Sequence, residues 1–186
     1  MSGWWAASYA ALWVLVVVLC VVVVALARQI GTLHLRLGPR GALELDDEGP
    51  ALGEAPEPLD VRDVDGRRVT IGGPGRAQLL LFVSPGCKVC ADVLPAVRAV
   101  ADAGELSPYV ITDMEPEATV RVLDRSSVRA PVIASLDLAS GYRIPGTPYV
   151  VVLDATGVVR AKGTANNLEQ LEGLVDTARR RLREAG

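Results

Sequence analysis

Two cysteines, Cys87 and Cys90, stand two residues apart at the junction between an apolar run and a helical pattern. Residues 77–83 are near-continuously apolar, as a strand covered on both faces would be. Ser84-Pro85-Gly86 leads from them into Cys87-Lys88-Val89-Cys90, and Val89, Val93, Val97 and Val100 then recur at helical spacing. Strand, short loop and a CxxC opening a helix form the layout of a dithiol redox site. Unpaired backbone N–H groups and the helix dipole at a helix N-terminus stabilise the thiolate of the first cysteine. The second falls in the first turn, within reach of a disulfide to the first. The expected division of labour is an exposed nucleophile at Cys87 and a resolving thiol at Cys90. Lys88 has two readings: a positive charge that lowers the Cys87 pKa, or a solvated side chain. The pair itself also has a bland reading, two neighbours on a structural helix, and the rest of the chain has to decide.

Composition removes several other chemistries. The chain has 186 residues and a net charge of −3, with no basic block, so nucleic-acid binding is set aside. The third cysteine, Cys20, lies in an apolar run, where a thiol acts as a small hydrophobe. Two cysteines and the single histidine, His34, do not make a four-ligand zinc site, and neither metal nor cofactor is expected. Gly72-Gly73-Pro74-Gly75 is not a phosphate loop, because no Lys-Ser/Thr follows and no helix pattern starts there.

The elements that must position the dithiol begin at the N-terminus. No charged residue occurs in residues 1–27, and residues 10–27 are 18 apolar residues, about 27 Å of helix. Starting at Trp4, the segment spans a bilayer core of about 30 Å. Trp4, Trp5 and Tyr9 suit the interface. A retained single-pass anchor is expected. A cleaved signal peptide is the alternative, with Ala25-Leu26-Ala27 as a small-x-small site. Arg28, Arg36 and Arg40 follow the apolar run and, by the positive-inside rule, favour a cytoplasmic domain. Dithiol chemistry favours the oxidising, extracytoplasmic side. Residues 1–37 are therefore read as anchor and juxtamembrane helix, residues 38–58 as a Pro-, Gly- and acid-rich linker that acts as a solvated tether, and residues 59–186 as the soluble domain.

Within that domain, residues 59–63 and 68–71 read as a hairpin around Asp65-Gly66. Pro95 falls inside the helix after the cysteines and should kink it. Residues 107–112 form another strand, 116–124 a helix with Val120 and Leu123 inward, 131–134 a short strand, and 136–142 one or two helical turns. Ile144-Pro145-Gly146-Thr147-Pro148 precedes a strand at 149–153, which turns at residues 154–157 into a strand at 158–161. Asn167 and Gln170 cap a last helix, with Leu168, Leu171, Leu174, Val175, Ala178 and Leu182 on one face and Arg179, Arg180, Arg181 and Arg183 crowding its end.

The order of elements is a three-layer α/β arrangement with a mixed sheet. It resembles the thioredoxin fold with an N-terminal β-hairpin extension, preceded by one transmembrane helix. The resemblance rests on the strand–Cys–helix placement, on Pro95 at the helix kink, and on Thr147-Pro148 before a buried strand. It implies a cis Thr147-Pro148 bond facing the dithiol, with Thr147 offering its backbone to an extended substrate segment. Gly86, Lys88, Thr147 and Pro148 are thereby candidate substrate-binding residues around a redox-active Cys87–Cys90 disulfide. The extra hairpin is similar to membrane-anchored proteins of the TlpA type.

Ala27-Arg28-Gln29-Ile30-Gly31, Leu33-His34, Gly41-Ala42-Leu43, the 84–90 segment and Val159-Arg160-Ala161-Lys162-Gly163 resemble the MauD family. That resemblance implies a membrane-anchored, extracytoplasmic (periplasmic) thiol–disulfide oxidoreductase or isomerase. Its implied client is the disulfide-rich small subunit of methylamine dehydrogenase, and a membrane redox partner would recycle the dithiol. A TlpA-type reductase for cytochrome c maturation and a non-catalytic chaperone of a client subunit are the competing readings. The chain departs from thioredoxin in lacking the tryptophan before Cys87 and the Gly-Pro between the cysteines. Leu81 also stands where thioredoxin keeps a buried aspartate, which leaves Cys90 without an internal proton acceptor.

Overall fold

The computed structural model describes residues 3–36, 48–84, 86–122 and 128–184. Leu37, Gly38-Pro39, Arg40, Gly41-Ala42-Leu43, Pro85, Leu123 and Asp124 lie outside them, as does the Val120 side chain. The chain divides into two units, Met1–Arg40 and Gly41–Gly186.

The described residues of the first unit form one helix, α1 (Gly3–Arg36). Over Gly3–Val23 its mean hydropathy is 2.6, long and apolar enough to cross a membrane; a signal sequence has the same properties. Tyr9 and Trp13 lie edge to face, with ring centroids 6.4 Å apart.

The second unit opens with an antiparallel hairpin, β1 (Leu59–Arg62) and β2 (Arg68–Ile71). Asp63 shapes its turn: Oδ1 accepts from the Asp65 and Arg67 amides at 3.0 and 2.8 Å, and Gly66 takes the positive φ of 82° that the turn requires. A five-stranded sheet follows, in the order β5 (Val132–Ala134), β4 (Ser107–Thr112), β3 (Gln78–Val83), β6 (Tyr149–Leu153), β7 (Val159–Thr164). β4 runs parallel to β3 and β5 to β4, whereas β6 is antiparallel to both β3 and β7.

Every residue of β3 is buried, and alternation along it divides the core in two. Leu79, Leu81 and Val83 face a cluster holding Cys90, Val93, Val97, Leu171 and Val175. Leu80 and Phe82 face another holding Ile71, Ile111, Leu138, Tyr142 and Tyr149. The first cluster is roofed by α2 (Lys88–Val93), α3 (Val97–Gly104) and α6 (Leu168–Glu184). The second is covered by α5 (Leu136–Gly141) and the hairpin. α4 (Pro116–Val122) lies between β4 and β5 in sequence. This is a thioredoxin-like fold with an added N-terminal hairpin.

Pro95 breaks the helix as expected: Leu94–Ala96 is a 3-10 turn between α2 and α3. Gln78, the polar start of the central strand, is 8 % exposed and fastens hairpin to sheet. Its amide nitrogen donates to the Thr70 carbonyl at 3.0 Å, and its Oε1 accepts from the Gly72 amide at 2.9 Å. Asn167 caps α6, its Oδ1 accepting from the Gln170 amide at 2.9 Å. Gln170 reaches back to the Asn166 amide at 2.7 Å.

Two expectations are corrected. Leu168 and Leu182 do not join the buried face of α6; they are 47 % and 37 % exposed, because they sit at the two ends of the helix, while the core takes only Leu171, Leu174, Val175 and Ala178. The tether is not solvated throughout. Gly53 donates to the Val159 carbonyl and Val159 to the Glu54 carbonyl, at 2.9 and 2.8 Å, and Pro50 is buried. The Glu48 carbonyl accepts from the Tyr149 hydroxyl at 3.0 Å and from Lys162 Nζ at 2.8 Å. Residues 48–54 thus form a strap along β6 and β7. Gly49 is required there: its φ is +75°, and a Cβ would lie 2.6 Å from the Tyr149 hydroxyl oxygen.

Candidate active site

Cys87 and Cys90 form a disulfide with Cα atoms 5.3 Å apart. Cys87 is the N-cap residue of α2, in extended backbone conformation (φ −72°, ψ 108°), and its Sγ accepts from the Cys90 amide at 3.2 Å. The same amide is placed to stabilise a thiolate at Cys87 once the bond is reduced. The loop is closed from β3 by the Cys87 amide donating to the Ser84 carbonyl at 3.1 Å. Gly86 holds the turn at φ +85°, a value that disfavours any side chain. Cys87 is half-buried, whereas Cys90 is 2 % exposed in the apolar cluster under α2. An incoming sulfur therefore meets Cys87 first. Lys88 is exposed at the start of α2.

Thr147-Pro148 is cis. Strand register brings it to the dithiol. Phe82 on β3 pairs with Tyr149 on β6, so the chain enters β6 through Pro148 at the same sheet end where it leaves β3 for the cysteines. Thr147 is exposed and Pro148 buried. Cys87, Cys90, Gly86, Lys88, Thr147 and Pro148 thus all lie at one end of the sheet. Leu81 is fully buried in the same hydrophobic cluster as Cys90.

Two features of this end were not legible as site residues. Val83 pairs with Thr112, so Ser84 and Asp113 emerge side by side from β3 and β4. With Thr147 they border a cavity of about 230 Å³ that opens on the face opposite α2. Tyr149, next after Pro148, carries the strap on its hydroxyl together with Lys162. Lys162 had one signal, being one of two lysines in an arginine-rich chain; the strand expected at 158–161 stops short of it, and the structure extends β7 to Thr164. Among the described residues no group of three or more His, Cys, Asp or Glu is placed to hold a metal.

No family model matches the chain. Individual proteins do. The methylamine utilization protein MauD of Paracoccus denitrificans is 35% identical over 183 residues, covering 96% of this chain and 91% of the relative. The MauD protein of Methylorubrum extorquens is 36% identical over 174 residues, 91% of this chain and 84% of the relative. The chain belongs to the MauD family. Solved structures show the fold that goes with the MauD sequence. The thioredoxin domain of a thiol-disulfide oxidoreductase from Bacteroides vulgatus has a TM-score of 0.57 at 19% identity, covering 68% of this chain and 96% of that one. StoA from Bacillus subtilis has a TM-score of 0.53 at 19% identity, covering 64% and 97%. In the first unit the run that resembles MauD from Ala27 onward lies inside α1.

Proposed function

We propose that the chain is a membrane-anchored thiol–disulfide oxidoreductase or isomerase whose dithiol domain lies on the extracytoplasmic side. The reading is carried by one observation: a disulfide with one accessible sulfur, Cys87, at the sheet end that also presents cis Thr147-Pro148. Family membership and the methylamine utilization named for its relatives make methylamine dehydrogenase, through its small subunit, the proposed client.

In the oxidised form a client thiolate attacks Cys87 Sγ. The Cys87–Cys90 bond breaks, its electron pair passes to Cys90, and that sulfur takes up a proton. A second client thiolate attacks the client sulfur of the mixed disulfide, and Cys87 leaves as a thiolate facing the Cys90 amide. The client loses two electrons, the dithiol gains them, and a membrane redox partner removes them for the next turnover. The Cys90 amide that faces Cys87 Sγ supports the oxidising direction, because it stabilises the thiolate of the reduced pair.

The test is maturation of the client in cells carrying the Cys87→Ser/Cys90→Ser double variant, together with the reduction potential of the wild-type pair. Loss of maturation and a potential near that of strong oxidants, about −120 mV, are expected. Full maturation with the double variant would leave a non-catalytic escort as the function. A potential near thioredoxin's, about −270 mV, would turn the reading to a TlpA-type reductase.

A further inference from the structure

We infer that the cavity between Ser84, Asp113 and Thr147 is a side-chain pocket that selects client segments carrying a lysine or arginine next to the reacting cysteine. The inference rests on the oxidoreductase reading and names its substrate class. Three strands deliver the rim: Ser84 follows β3, Asp113 follows β4, and Thr147 precedes β6. The walls are Phe82, Ile111 and Ile144. Phe82 and Ile111 are 2 % and 0 % exposed and belong to the core on the α5 side, away from Cys90. At about 230 Å³ the cavity is smaller than the ~300–1,000 Å³ typical of small-molecule sites, so it suits one long side chain.

The lining specifies which side chain. An apolar wall with a carboxylate at the mouth matches an aliphatic stem ending in a cation. Asp113 is exposed and has no hydrogen bond or ion pair among the described residues. Arg143, the cation beside Ile144 in sequence, is engaged elsewhere, with Glu54 at 2.8 Å. A client strand laid along Thr147 points alternate side chains to opposite faces. A residue close to its cysteine is thereby directed to this mouth. Lys88, the cation beside Cys87, would favour acidic peptides, so a preference for basic ones has to come from another group.

The experiment uses the reduced full-length protein in detergent. Its substrates are homodisulfides of short peptides in which lysine, alanine or glutamate occupies each position within two residues of cysteine, and the uncharged hydroxyethyl disulfide. Cys87 thiolate attacks one peptide sulfur, and the peptide–peptide bond breaks. The first peptide leaves as a thiolate and takes up a proton. Cys90 thiolate then displaces the second peptide from Cys87, and two electrons have passed to the peptides. The transition states are those of the oxidising direction run backwards, so the selectivity is the same. At low salt the best lysine peptide should react about five-fold faster than its glutamate counterpart, with the gap narrowing in high salt. Asp113→Asn should bring the ratio close to one and Asp113→Lys should invert it, while Asp176→Asn on α6 keeps it. Equal rates for lysine and glutamate peptides, with hydroxyethyl disulfide reacting normally, overturn the pocket and leave the oxidoreductase reading standing. A lysine preference that survives Asp113→Asn also overturns it. No reaction with hydroxyethyl disulfide overturns the oxidoreductase reading, and the pocket with it.

Discussion

Lys162 Nζ donates to the main-chain carbonyl of Glu48 at 2.8 Å, across 114 residues of sequence. Lys162 is 1 % exposed, and the Tyr149 hydroxyl donates to the same carbonyl. The strap leading into the domain is thus held by the residue that follows cis Pro148. Lys162→Ala removes a charge-assisted hydrogen bond and leaves a hole inside β7. Unfolding in urea should show a loss of about 2–4 kcal/mol, with faster protease cleavage in residues 48–54. Unchanged cleavage would mean that the strap is held by its other bonds alone.

Tyr142 makes the opposite case. Its hydroxyl is buried with no hydrogen-bond partner among the described residues, and burial pushes its pKa up to about 12. The ring packs on Phe82 at 5.7 Å. Tyr142→Phe keeps the ring and removes an unsatisfied polar group, so thermal unfolding should show equal or greater stability, by up to about 1 kcal/mol. A loss larger than that would reveal a partner for the hydroxyl.

Asp154 should impose an acid limit on stability. Burial opposes its charge, but hydrogen bonds from the Thr156 side chain, Arg160, and the Val158 and Thr156 amides outweigh burial and hold its pKa at about 2, against an ordinary 3.8. The Arg160 contact is 2.7 Å, and the carboxylate side chain is 6 % exposed. Because the folded value is the lower one, the stabilisation is complete above pH ~4 and is lost as pH falls to ~2. It is on the order of 2 kcal/mol. Asp154→Asn should remove that slope from the stability–pH curve; a slope unchanged in this window would assign it to other carboxylates.

The burial difference between the two cysteines predicts which one captures a client. Cys90→Ser should accumulate a mixed disulfide through Cys87, and Cys87→Ser should accumulate none, read by non-reducing gel and mass spectrometry. The reduced Cys87 should also alkylate faster at neutral pH than a free cysteine. Trapping through Cys90 would reverse the two roles.

Local chemistry was readable from the residues because it depends on near neighbours. CxxC after an apolar run, Pro95 at the kink, Asp65-Gly66 at the hairpin and Asn167 with Gln170 at α6 each involve residues within a few positions of one another. α6 was overextended in its buried face, since periodicity marks a stripe but not where the sheet beneath it ends. Pro, Gly and acid content marks a tether, and composition carries no sign of a carbonyl accepting from a lysine in β7.

By itself the sequence determined the fold class, the MauD resemblance, the dithiol and the Thr147-Pro148 bond before a buried strand, because spacing along the chain sets each of them. Tertiary structure decided which sulfur is reachable, what lies beneath Cys90, and what stands beside the site. Asp113 is 26 residues from Cys87 and Glu48 is 114 from Lys162. Only the pairing of Val83 with Thr112, and of Phe82 with Tyr149, sets Ser84, Asp113 and Thr147 around one cavity. Strand register is a property of the assembled sheet, fixed by which side chains face each core, and no window of sequence contains it.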